Sequence, residues 1–265
     1  MLTGLEEITL ATVAMIVLAG LAAGWIDAVV GGGGLLQLPV LLMVPGITPV
    51  QALATNKMGS VFGTTTSAIT YYRRVHPDLR TALPMAGVAL AGSFGGAIVA
   101  TLLPAEVIKP VIVLALVAVA VFTAARPQLG RDTGLRYQGR RHLAVAVVIG
   151  LVIGFYDGLL GPGTGTFLVI ALVAVLGYDF LQGSAKAKIV NLATNLGAIA
   201  FFLPSGHILL GLGLILGAAN MVGGYVGARM AVRRGAGFIR IVFLVVVFVL
   251  IARLGYDVIG EWAGR

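Results

Sequence analysis

The chain predicts an all-α polytopic membrane protein built from two inverted repeats. Each repeat is a glycine-broken helical hairpin followed by three spanning helices, with about eight to ten membrane helices in all. Three observations lead there. Of the 265 residues, 59% are hydrophobic and 11% charged, and the mean hydropathy is +1.04, outside the mixture of a soluble domain. Apolar stretches of about 20 residues, enough to cross ~30 Å of hydrocarbon, follow one another with little between them. The two halves also carry matching glycine-rich motifs, "GWIDAVVGGGG" from Gly24 and "GFYDGLLGPGTG" from Gly154.

Segment A, near 8–30, follows "MLTGLEEITL", where Glu6 and Glu7 occupy the place a secretory signal would make basic, so this stretch starts the first helix. It runs into Gly31, Gly32, Gly33 and Gly34. Each glycine costs a helix interior about 1 kcal/mol relative to alanine, so four together predict a break. Short segment B (33–45) follows, then C (51–72), D (81–103) and E (105–125). The polar loop "RPQLGRDTGLRYQGRRH" separates the halves: residues 1–125 form the first transmembrane repeat, 126–141 a cytoplasmic linker and 142–265 the second repeat. There A′ (142–160), B′ (163–177), C′ (182–204), D′ (207–229) and E′ (236–255) repeat the order, and C aligns with C′ so that Gln51 meets Gln182 and Lys57 meets Lys188. A duplication explains this economically.

The arginines set the orientation. Arg73, Arg74 and Arg80 lie between C and D; Arg126, Arg131, Arg136, Arg140 and Arg141 between E and A′; Arg229, Arg233, Arg234 and Arg240 at the D′–E′ turn. These loops are expected in the cytoplasm. The C′–D′ loop "LPSGHI" has no lysine or arginine and is expected outside, which inverts the second repeat. Each A–B pair must then return to its own side as a hairpin. The two hairpins enter from opposite faces with their tips near the midplane, and both termini lie outside the inner membrane. The net charge of +8 is thereby explained by topology, and nucleic acid is not expected as a partner. Cysteine is absent, which removes disulfides and thiolate chemistry.

A break at membrane depth is tolerated where it lines a cavity or is buried in protein. Its first amides and the helix dipole make it an anion site. That reading covers Gly31, Gly32, Gly33 and Gly34 in the first half and Gly161, Gly163, Thr164, Gly165 and Thr166 in the second, where the threonines add hydroxyl donors; the competing reading is close helix packing through small residues. The chain has four lysines. Lys57 and Lys188 fall within C and C′, where a lysine costs on the order of 3 kcal/mol and so faces a partner or a wet cavity. Lys186 sits nearer the helix start and is expected to snorkel. Asn56 and Ser60 share one helix face, as do Asn191 and Asn195, and each pair could line a cavity wall or hydrogen-bond between helices. Asp27 and Asp157, four residues before the breaks, are candidates for proton coupling, for capping amides or for pairing with lysine. His76, His142 and His207 read as interfacial without metal-like spacing, and Tyr71, Tyr72 and Trp262 as boundary residues. No metal and no cofactor are expected.

The motifs "GWIDAVVGGGGLLQLPVLL", "ATNKMGS", "GFYDGLLGPGTGTFLVIAL" and "AKAKIVNLATN" together resemble the TauE/SafE sulfite exporter family, in the branch whose second glycine motif reads GPGTG. The resemblance spans nearly the whole chain. It implies a bacterial inner-membrane permease that moves small sulfur-containing anions, such as sulfite or an organosulfonate, outward. Pro162, Thr164 and Thr166 replace the glycine-only break of other members, which points to an altered anion preference. A secondary transporter is therefore the leading reading, with an anion channel as the alternative. An intramembrane hydrolase using Ser184 or Ser205 lacks a paired base, and an ATP-driven pump would need a P-loop. Export of an anion from a negative interior is already favoured by about 2.3 kcal/mol per charge per 100 mV. The partners expected are the anion and lipid, and the oligomeric state is open, a homodimer included.

Overall fold

Helix starts fall where the sequence supplies caps. In the computed structural model, which describes residues 9–104 and 133–262 with side chains as far as Val245, helix α1 is Leu10–Val30, α2 Gly34–Leu42, α3 Pro49–Val75 and α4 Leu79–Ala100. Helix α5 is Gly139–Leu159 and α6 is Thr164–Ile170, which continues as a π-helical turn Ala171–Val175; α7 is Phe180–Phe202 and α8 Leu210–Trp262. Thr48, Pro49 and Gln51 start α3 with a capping box, and the carboxylates of Asp78 and Asp179 accept the first amides of α4 and α7. Helix α8 turns at Gly235 (φ 72°, ψ −169°), which separates two arms at the predicted D′–E′ turn. All ordered elements among the described residues are helical. Segment E and linker residues 126–132 lie outside the described residues.

Among the described residues, four helices are long and apolar enough to cross a membrane: α1, α4, α5 and α8 through Val245. Helices α3 and α7 carry most of the polar residues, and they are the inner pair. They touch one another, with α1, α2 and α8 packed around α3 and with α4, α5, α6 and α8 around α7. This follows from the cost of polar groups in hydrocarbon, which drives such helices behind apolar ones.

The inner helices run antiparallel. Near its start α3 places Val50 and Ala54 in one apolar cluster with Ala198 and Phe202 from the end of α7. At the opposite end, Lys186 at the start of α7 donates to the carbonyl of Asp78, just beyond α3, at 2.9 Å. Outer helices close the bundle in two matching interfaces, α1 on α8 and α4 on α5, both lined by glycine. At Gly150 a methyl group would come within 2.6 Å of the Met85 carbonyl, so the α4–α5 backbones approach as small residues permit.

Two expectations are corrected. Tyr71 is buried, not at the boundary, and its hydroxyl donates to the Ala28 carbonyl at 3.0 Å. His142 is buried too, with Nε2 2.9 Å from the Tyr178 hydroxyl. In both cases a polar tip has a buried partner that the linear sequence does not display. Tyr72 is exposed.

Candidate functional site

Helix α1 ends at Val30 and α2 begins at Gly34; between them Gly31 adopts left-handed backbone (φ 85°), and its amide donates to the Asp27 carbonyl at 2.8 Å. Gly33 folds back on α1, where a methyl group would lie 2.6 Å from the Ala23 carbonyl oxygen. The second break has the same construction: α5 ends at Leu159, α6 begins at Thr164, and Gly161 and Gly163 are left-handed (φ 83° and 81°). Only glycine takes such angles without penalty. Both predicted breaks are thus present, and each A–B pair is a hairpin whose arms pack together.

The two breaks touch. The Thr166 amide donates to the Gly31 carbonyl at 3.2 Å, and the Thr166 hydroxyl donates to the Val30 carbonyl at 3.0 Å. A Cβ on Gly165 would stand 2.5 Å from Gly31 Cα, so the backbones meet with no room for a side chain. The last carbonyls of α1 have no helical continuation to bond to. Instead Tyr71 takes that of Ala28 and Thr166 that of Val30, while the Asp27 carbonyl, which already accepts the Gly31 amide, also accepts from Lys188. In the second half the Tyr156 hydroxyl donates to the Pro162 carbonyl at 2.8 Å and the Thr164 hydroxyl to that of Gly161 at 2.8 Å.

Two ion pairs flank this contact, each joining the two halves. Lys57 Nζ of α3 lies 2.6 Å from Asp157 Oδ1 of α5, and Lys188 Nζ of α7 lies 3.0 Å from Asp27 Oδ2 of α1. All four residues are buried. The exchange is reciprocal, since the lysine of each half faces the aspartate of the other. Lys57 also reaches the second break, its Nζ 3.0 Å from where a Gly161 side chain would begin. Among the alternatives for the aspartates, pairing with lysine is the one the geometry adopts.

Several polar atoms here lack partners. The Asn56 Oδ1, Asp157 Oδ2 and Gln37 Nε2 atoms are buried and unpaired among the described residues. The amides of Gly32, Gly33, Gly34, Gly163 and Gly165 likewise donate to no protein group there. Buried polar groups left this way are uncommon, and a ligand or water is their usual complement. The Asn56 amide nitrogen stands 3.6 Å from the Cβ position of Gly34, which places Asn56 at the first break.

The remaining predicted residues divide. Ser60 lies a turn beyond Asn56 on α3 and donates to Gln37 Oε1 at 3.0 Å. Asn195 bridges α7 to α3 through Thr64 at 3.3 Å, and the Asn191 side-chain oxygen accepts from Thr194 at 3.3 Å. Their partners are in α3 and α7 and not in the glycine tips. The hydroxyls of Thr164 and Thr166, expected as anion donors, are spent on backbone carbonyls. Lys186, expected to snorkel, is instead buried: its Nζ lies 3.9 Å from Asp78 Oδ2 and 4.7 Å above the Tyr178 ring, partners within the protein. Gln37 and Tyr156 are not among the residues the sequence singles out, although a lone amide three residues after Gly34 in an apolar run and a tyrosine beside Asp157 are legible signals.

The family profile described as sulfite exporter TauE/SafE matches residues 16–254. The chain is similar to "Probable membrane transporter protein ORF9" of Sinorhizobium sp (35% identity, covering 96% of each chain). It is also similar to a "Probable membrane transporter protein" of Haemophilus influenzae (31%, covering 95% of this chain and 97% of that one). The Escherichia coli K12 protein "Probable membrane transporter protein YfcA" is 30% identical, over 91% of this chain and 90% of its own. No solved structure matches. With the profile matching residues 16–254 and these relatives aligned along 90% or more of their length, this chain belongs to the sulfite exporter TauE/SafE family of membrane transporters.

Proposed function

We propose that the protein is a secondary transporter for a small anion, sulfite or an organosulfonate, moved outward across the inner membrane. The observation that carries this reading is the pair of touching helix breaks flanked by Lys57–Asp157 and Lys188–Asp27. The substrate binds at the open amides of Gly32, Gly33 and Gly34, beside Asn56, Lys57 and Lys188. A helix N-terminus, an amide side chain and two ammonium groups suit a compact oxyanion. In the empty state the aspartates neutralise the lysines. An arriving anion takes over a lysine, and the released carboxylate takes a proton in place of that lysine. Asp27 and Asp157 therefore couple a proton to the anion. No covalent step is required, in keeping with a permease.

The repeats are proposed to be inverted, with the loop after α3 in the cytoplasm and the one after α7 outside, and with both termini outside. The antiparallel packing of α3 on α7 supports this. Single cysteines at His76 and at Ser205 should label from opposite sides of sealed vesicles; labelling from the same side would remove the inversion.

Proteoliposomes loaded with sulfite, sulfate, thiosulfate, sulfoacetate or a carboxylate control test the substrate. Saturable flux of a sulfur oxyanion that responds to a pH gradient is expected. Lys188→Gln should lower that flux at least tenfold, whereas Arg136→Gln in the exposed linker should leave it within about twofold. Equal loss in both variants would count against a lysine-lined site.

A further inference from the structure

A second cationic feature lies away from the helix breaks, where α3 and the first arm of α8 run side by side. Gly63 and Gly224 bring their backbones close, and the Ser67 hydroxyl donates to the Gly224 carbonyl at 3.3 Å. Beside and beyond that contact a cleft of about 480 Å³ opens between the two helices. Residues three or four apart on each helix form its walls, so its long axis follows the bundle. Arg73 and Arg74 enter from the last turn of α3, and Arg229 and Arg233 from α8.

Four arginines line one cleft and no carboxylate among the described residues lines it, an arrangement that an anion stabilises. Arg229 Nη1 donates to the Tyr225 hydroxyl at 3.0 Å, which leaves the phenol hydrogen for a further acceptor. Thr66 and Thr70 have committed their hydroxyl hydrogens to carbonyls of their own helix at 2.9 and 2.8 Å. The available donors are therefore cationic or phenolic, a set that matches phosphate. The deeper half is different in character. Ile69 and Tyr225 are each 47% exposed on the outer surface of the bundle, the face that hydrocarbon covers in a membrane protein.

We propose that this cleft binds a phosphate-bearing anion, the headgroup of an anionic phospholipid, with the phosphate among the arginines and the lipid tail along Ile69 and Tyr225. An arginine layer at one end and an apolar wall open to lipid at the other favour a lipid over a free ion. This site is separate from the anion site of the glycine breaks, and it would stand if that reading failed.

Native mass spectrometry of the full chain in detergent, titrated with phosphatidylglycerol, phosphatidylcholine or inorganic phosphate, tests it. The parent protein should retain phosphatidylglycerol in preference to phosphatidylcholine. R73Q/R229Q should weaken phosphatidylglycerol binding about thirtyfold, whereas R136Q/R141Q, which carries the same charge change on exposed linker residues, should not. Should the double substitution prevent folding, R229Q alone reads the same quantity with about a fivefold loss. Saturable binding of inorganic phosphate that R229Q removes, without preference for phosphatidylglycerol, would keep the anion site and reassign its ligand to a soluble ion. Equal binding of both lipids by parent and R229Q, with no phosphate binding, would overturn the proposal.

Discussion

Lys57→Met is expected to destabilise the protein by about 3–5 kcal/mol, and K57M/D157L to recover most of that stability while remaining inactive. Lys57 Nζ and Asp157 Oδ1 are 2.6 Å apart and both side chains are buried. Removing the ammonium alone strands a carboxylate, one of whose oxygens already lacks a partner among the described residues. Replacing both members with apolar side chains of similar volume removes the attraction together with the desolvation cost, and such exchanges are often neutral. Thermal unfolding of purified K57M and K57M/D157L measures the first effect, and anion flux in proteoliposomes measures the second. A double variant that is stable and still transports at the parental rate would make the pair a structural strut only. Lys188 and Asp27 should behave alike, with an added cost for Lys188 because its ammonium also serves the Asp27 carbonyl.

Gly31→Ala should be almost as severe, because two penalties fall on one residue. The left-handed backbone at Gly31 costs a side-chain-bearing residue about 1–2 kcal/mol. The new methyl group would also run into the backbone of Gly165 and Thr166, where no flexible side chain can give way. The breaks must then separate, and the Thr166 amide and hydroxyl lose the carbonyls of Gly31 and Val30. Gly46 supplies the control. Its φ of 76° is nearly the same, yet nothing lies within 4 Å of its Cβ position. Gly46→Ala should therefore show the backbone penalty alone, while Gly31→Ala should exceed it by about 2 kcal/mol or more and lose transport. Equal melting-temperature losses in the two variants would mean that the breaks do not press on each other.

Helix positions were legible because their causes are local. Apolar length marked α1, α4, α5 and both arms of α8, and the glycine runs marked the breaks at Gly31 and Gly161 to within a residue or two. Lys57 and Lys188 stood out for a similar reason, since a lysine inside a span needs a partner wherever it is found. Which partner it has was a different matter. Asp27 and Lys188 are 161 positions apart, and nothing in either neighbourhood states that each half supplies the counter-ion of the other. Thr164 and Thr166 show the same gap: their hydroxyls look available in the sequence, yet the fold gives them to carbonyls at the breaks.

From sequence alone came the helices, the two breaks and the residue types gathered around them, because hydrophobic length and glycine's backbone freedom act over a few neighbouring residues. Tertiary structure decided the contact between the breaks, the crossed ion pairs, the burial of Tyr71 and His142 and the arginine cleft. A buried polar group is satisfied by whatever the fold brings within about 3 Å of it, and distance along the chain does not enter that condition.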